Sequence, residues 1–89
     1  MHAVVVKVTL HDREAAKAAL HDKVIPQVSQ APGFVAGYWT DTSKDNTGVS
    51  MVVFESEDAA TRASEMIPAT VPETVTLESV EVREVVGHA

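Results

Sequence analysis

The spacing of apolar positions changes from one stretch of the chain to the next, and each change marks the edge of an element. Residues 2 to 10, His2-Ala3-Val4-Val5-Val6-Lys7-Val8-Thr9-Leu10, are rich in β-branched side chains and apolar on both faces, which predicts a central strand covered on both sides. His11 and Asp12 end it. Asp12 can accept from the free N–H groups of a following helix, and Glu14 suits the positive end of that helix. From residue 13 the period becomes helical: Ala16, Ala19, Leu20, Val24 and Val28 form an apolar stripe meant for the sheet, opposed by Arg13, Lys17, His21 and Gln27 on the water side. Pro26 lies inside this pattern, where it lacks an N–H and collides with the carbonyl four residues back, predicting a kink or restart near Val24 and Ile25.

The segment Gln30-Ala31-Pro32-Gly33-Phe34-Val35-Ala36-Gly37-Tyr38-Trp39 then stops the helix, turns and starts a strand that carries most of the aromatic residues. That strand is expected over residues 34 to 41. A polar, turn-rich stretch, residues 41 to 48, joins it as a hairpin to a third strand over residues 49 to 55. Ser56 is placed to cap a short helix with Glu57 and Asp58 in its first turn and Ala59, Ala60, Ala63, Met66 and Ile67 on its inner face. Pro68 and Pro72 bracket the next loop. A last strand is expected over residues 76 to 86, with Val80 and Val82 facing one way and Ser79, Glu81 and Arg83 the other.

The order β-α-β-β-α-β is that of the split βαβ arrangement: a ferredoxin-like α+β domain, with a four-stranded antiparallel sheet and two helices on one face. Eighty-nine residues give room for one domain and no second core, so residues 1–89 are read as a single unit. The other sheet face then presents Val5 and the hairpin rings with no helix to cover it. A second copy is the economical cover, two such faces closing into a barrel. At about 25 cal/mol per Å² of apolar burial, roughly 1,000 Å² of contact would be decisive for so small a domain.

Composition narrows the function classes. The net charge is −6, with 13 acids against 7 Lys and Arg and no basic run, so a nucleic-acid partner is not expected. There is no cysteine, which removes disulfides and thiolate metal sites. The apolar run Val4-Val5-Val6-Lys7-Val8 is too short for a membrane span and lacks the flanks of a secretory signal, so a soluble cytoplasmic protein is expected.

Two stretches resemble the dimeric α+β barrel superfamily, in particular its small antibiotic-biosynthesis-monooxygenase-like domains: the helix-Ala31-Pro32-Gly33-Phe34-strand junction, and Met51-Val52-Val53-Phe54-Glu55-Ser56-Glu57-Asp58-Ala59-Ala60. The resemblance runs over the whole chain in element order and implies a homodimer joined through its sheet faces. It does not fix a reaction, because superfamily members include cofactor-independent oxygenases, haem-degrading enzymes, isomerases, decarboxylases and proteins without an assigned activity. The haem-degrading pattern needs an Asn on the first strand, a Trp on the third and a His on the second helix. Here those places offer Lys7, Phe54 and no His.

Candidate chemistry is sparse. Tyr38 and Trp39 are neighbours on a strand and must point to opposite faces, so only one can enter a pocket and stack on a flat ligand. Lys7, alone in an apolar strand, could stabilise a developing anion or pair with Glu81 across the sheet; Arg83 offers a second cation. His21, at the margin of the helical stripe, is a weak candidate base. Ser50 and Met51 on the third strand join Tyr38 and Trp39 as candidate ligand contacts, and nothing around Ser50 has the turn or partners of a hydrolase. Histidine spacing predicts no metal, the scattered glycines form no phosphate cradle, and no cofactor is expected. Glu78, Glu81 and Glu84 read as a solvated edge. Three functions stand open: binding of a small hydrophobic or aromatic metabolite without catalysis, a cofactor-independent monooxygenase or isomerase on an aromatic or quinone-like substrate, and a structural or protein-interaction domain.

Overall fold

In the computed structural model, which describes residues 1–42, 44–71 and 73–89, the elements are β1 (His2–Leu10), α1 (Arg13–Ala19), a π-helical turn (Leu20–Val24), α2 (Ile25–Ser29), β2 (Phe34–Thr42), β3 (Thr47–Phe54), α3 (Glu57–Thr70) and β4 (Val75–Glu84). The strands form one sheet in the order β2-β3-β1-β4, antiparallel at every step. Because α1, the π turn and α2 run on as one irregular helix, the chain has the expected ferredoxin-like order of β-α-β-β-α-β.

Each junction has a local cause. Asp12 Oδ1 accepts from the Ala15 N–H at 3.1 Å and Ser56 Oγ from the Ala59 N–H at 3.1 Å, so both helices start at the side chains expected to cap them. The clash that Pro26 would make in a regular helix is met by the wider π turn just before it, in which the Ile25 N–H reaches back to the Leu20 carbonyl. Gly33 has φ +81°, and a Cβ there would lie 2.8 Å from Ala59 Cβ; its carbonyl accepts from the Glu55 N–H at 2.8 Å. Both the handedness of this turn and its approach to α3 therefore require glycine.

The core lies between sheet and helices, where Val4 and Val6 of β1 meet Val52 and Phe54 of β3 and Ala60 of α3. Phe54 is 1% exposed and meets Phe34 edge to face, ring centres 6.3 Å apart. Burial of that one ring stabilises the fold by about 1.5–3 kcal/mol.

Several boundaries and faces differ from the sequence reading. The hairpin strands run closer to the turn, to Thr42 and from Thr47, with Asn46 at φ 56° and Ser43 outside the described residues. β3 stops at Phe54, and β4 covers Val75–Glu84 rather than residues 76 to 86. α3 continues through Pro68 to Thr70, two residues beyond the proline expected to end it; Pro72 falls outside the described residues. Met66 is 59% exposed, so the inner face of α3 is made by Ala60 with Ala59, Ala63 and Ile67. In the single chain the two faces of β1 differ: Val4 and Val6 are buried beneath the helices, while on the other face Lys7 is exposed and Val5 half-buried, with the small Ala3 buried among its strand neighbours.

Candidate functional site

Between the helical layer and the sheet lies a cavity of about 370 Å³. Its buried floor is made by Val6, Gly48, Ser50, Val52 and Ala16, and half-buried aliphatic groups from both helices and β4, including Leu20, Val24, Val28, Ile67 and Val75, close the sides. Four charged or titratable side chains line it: Arg13, Lys17, His21 and Asp41. Arg13 is half-buried and the other three are exposed, which places them at the mouth.

Trp39 forms one wall. The backbone gives the ring its place: Gly37 stands two residues earlier on the same face of β2, and a Cβ there would lie 2.6 Å from Trp39 Cη2. The indole lies back along its own strand, over a position kept empty for it. Opposite, Trp39 is in register with Ser50 of β3, which is 9% exposed.

At the mouth the Arg13 guanidinium donates to Asp41 Oδ2 at 2.9 Å. That hydrogen bond holds the Asp41 carboxyl below the usual range; desolvation opposes the shift, and the positive charges of Arg13 and Lys17 add to it. Arg13, Lys17 and His21 are spaced four apart along α1 and the π turn. In an α-helix each such step advances about 40° around the axis, and the wider π winding turns the last step back, so the row stays on one side.

The sequence candidates divide between the two sheet faces. Trp39, Ser50 and His21 line the cavity. Tyr38 and Met51 face away from it in a cross-strand row, Tyr38 opposite Met51, Met51 opposite Val5 and Val5 opposite Glu81. Tyr38 is 64% and Met51 44% exposed. Lys7 and Arg83 share that helix-free face, Lys7 between Val49 and Ser79 and Arg83 opposite Ala3, so neither reaches the cavity. The expected pair of Lys7 with Glu81 does not form: Glu81 lies opposite Val5, and Arg83, two residues along β4, donates to it through Nε at 2.7 Å. A further change in register puts Lys7 opposite Ser79 and Val8 opposite Leu77, leaving Glu78 as an extra residue that accepts from Thr9 Oγ1 at 3.2 Å.

Arg13, Lys17 and Asp41 were not among the sequence candidates, and the first two were assigned to the water side. Their signals were present. Asp41 lies two residues beyond Trp39 and must share its face, and the four-residue spacing from Arg13 to His21 marks a common side of a helix. Among the described residues no three His, Cys, Asp or Glu side chains group as metal ligands, and no helix is long and apolar enough to cross a membrane. The chain matches no protein-family model and no curated protein.

Proposed function

We propose that this chain is a small-ligand-binding protein whose cavity takes a hydrophobic or aromatic metabolite without transforming it. The observation that carries the reading is an apolar chamber of about 370 Å³ walled by the chain's single tryptophan, a size and lining suited to a small organic molecule. The resemblance to antibiotic-biosynthesis-monooxygenase-like domains adds a homodimer joined through the sheet faces. Tyr38, Val49 and Met51 are apolar and exposed on the helix-free face, and a second copy of the same face is the partner that covers them.

Titration with N-phenylnaphthylamine, an uncharged aromatic probe whose emission rises in apolar surroundings, tests the binding reading. One site per chain is expected, weakened at least tenfold by Trp39→Ala (about 1.4 kcal/mol or more). No binding, or binding indifferent to Trp39→Ala, overturns it. For the dimer, sedimentation at micromolar concentration is expected to give two chains per particle, and Tyr38→Asp with Met51→Lys to give one. Folded single chains of the unaltered protein would refute that part alone.

A second reading has one observation behind it, that His21 and Trp39 line the same cavity. An imidazole there could take a proton from one atom of a bound substrate and return it to a neighbouring atom, an isomerisation that needs no redox partner. Loss of turnover in His21→Gln with retained ligand binding would support it.

A further inference from the structure

We infer that the ligand of this cavity carries a carboxylate at one end of an apolar body, and that the ligand enters body first with its charge held at the mouth. The inference rests on the binding reading above and names the ligand's chemical class.

The argument is one of sign. The chain as a whole is acidic, at −6, and an organic anion approaching most of its surface meets repulsion. The cavity reverses this locally: its wall holds two of the chain's seven Lys and Arg, one histidine and a single carboxylate, Asp41. These groups stand on its exposed rim, while the more deeply buried lining is aliphatic, with the half-buried Trp39 as one wall. Such a polarised chamber fits a molecule polarised the same way. An uncharged ligand would leave Lys17 and His21 without a role, and a cation would meet Arg13 and Lys17.

Asp41 occupies the place a ligand carboxylate would take. It lies on the Arg13 guanidinium at 2.9 Å and feels the charge of Lys17, so the mouth already displays carboxylate recognition by a carboxylate of its own. A ligand carboxylate would settle on Lys17 and the His21 ring N–H and compete with Asp41 for the fork of Arg13. Asp41 therefore weakens the ligand it resembles, and removing its charge strengthens binding.

Phenylbutyrate and phenylbutanol, which share one skeleton and differ in the charged end, form the test pair. Emission of Trp39, the only tryptophan, reports occupancy directly. The acid is expected to bind about fivefold tighter than the alcohol, a preference reduced from that of a fully buried ionic hydrogen bond by the exposure of the mouth, and one that shrinks as salt is added. Lys17→Met should abolish the preference. Asp41→Asn should raise the acid-to-alcohol affinity ratio about threefold, by freeing Arg13 and removing a like charge. Equal binding of acid and alcohol, or a ratio indifferent to both substitutions, overturns the inference while leaving the binding reading intact. Tighter binding of phenylbutylphosphonate than of the acid overturns the carboxylate assignment in favour of a dianion. Failure of both acid and alcohol, and of N-phenylnaphthylamine, to bind overturns the binding reading and this inference with it.

Discussion

Gly37→Ala is the sharpest probe of how the cavity wall is built. In an ordinary strand the change is mildly favourable, since glycine forfeits about 0.5–1 kcal/mol of unfolded-chain entropy relative to alanine. Here the added Cβ falls 2.6 Å from Trp39 Cη2 and 2.8 Å from Cζ3. Carbon atoms rest about 3.5–4.0 Å apart, so the indole must swing by roughly 1 Å, at an overpacking cost of about 1–3 kcal/mol. Net destabilisation of about 0.5–2 kcal/mol is expected, because the steric cost exceeds the entropic gain. The ring can retreat only away from its strand, into the chamber, so probe affinity should fall in the same variant. Urea denaturation followed by circular dichroism gives the stability, and N-phenylnaphthylamine titration the affinity. The control is the double variant Gly37→Ala with Trp39→Leu, where the clash is gone and the alanine should cost nothing; the cycle isolates the Gly37–Trp39 coupling. If Gly37→Ala proves as stable as the unaltered protein, with unshifted tryptophan emission and full probe binding, the argument that glycine seats the indole is wrong.

Gly33→Ala is expected to lose about 2–4 kcal/mol by the same denaturation, combining the penalty of a positive φ with the 2.8 Å approach to Ala59 Cβ. Ser56→Ala should lose about 1 kcal/mol, the ordinary value of an N-cap hydrogen bond, because Ser56 Oγ accepts from the first turn of α3. The Arg13 interaction lowers the Asp41 pKa in the folded state below the ordinary 3.8, so its stabilising contribution is complete above that pH and is lost as the pH falls through the lowered value. Denaturation of the unaltered protein and Asp41→Asn should accordingly differ at neutral pH and converge in acid, and a gap that widens in acid would contradict the assignment.

Most of the fold was legible because short-range chemistry sets it. Asp12 and Ser56 cap the helices they precede, Pro32-Gly33 turns the chain, and alternation in β4 assigns Val80 and Val82 to one face. The site was legible only in part. That Tyr38 and Trp39 point to opposite faces follows from strand geometry, whereas which of them enters the core depends on the register of β2 against β3 and on the bulge between Phe34 and Ala36. Lys7 and Arg83 were judged as charges near a pocket, but they share parity with the helix-free row. Arg13 and Lys17 were judged by hydropathy alone. In a layer this thin a helix can direct long cationic side chains toward a chamber rim while its alkyl groups still cover the sheet.

The π turn at Leu20–Val24 also bears on how this chain tolerates changes in length. Closing a turn with one residue more than an α-helix needs means that a single deletion within it returns the segment to regular winding, with Arg13–Ala19 and Ile25–Ser29 keeping their mutual orientation; elsewhere in the helix a deletion would rotate everything beyond it by about 100°. Pro26 is the lock on that slack, since its ring fits the relaxed turn and not the tightened one. A shortened chain is therefore expected to fold only when Pro26 is exchanged in the same step, making the two changes a linked pair through which the rim of the chamber can be recut while its floor is preserved.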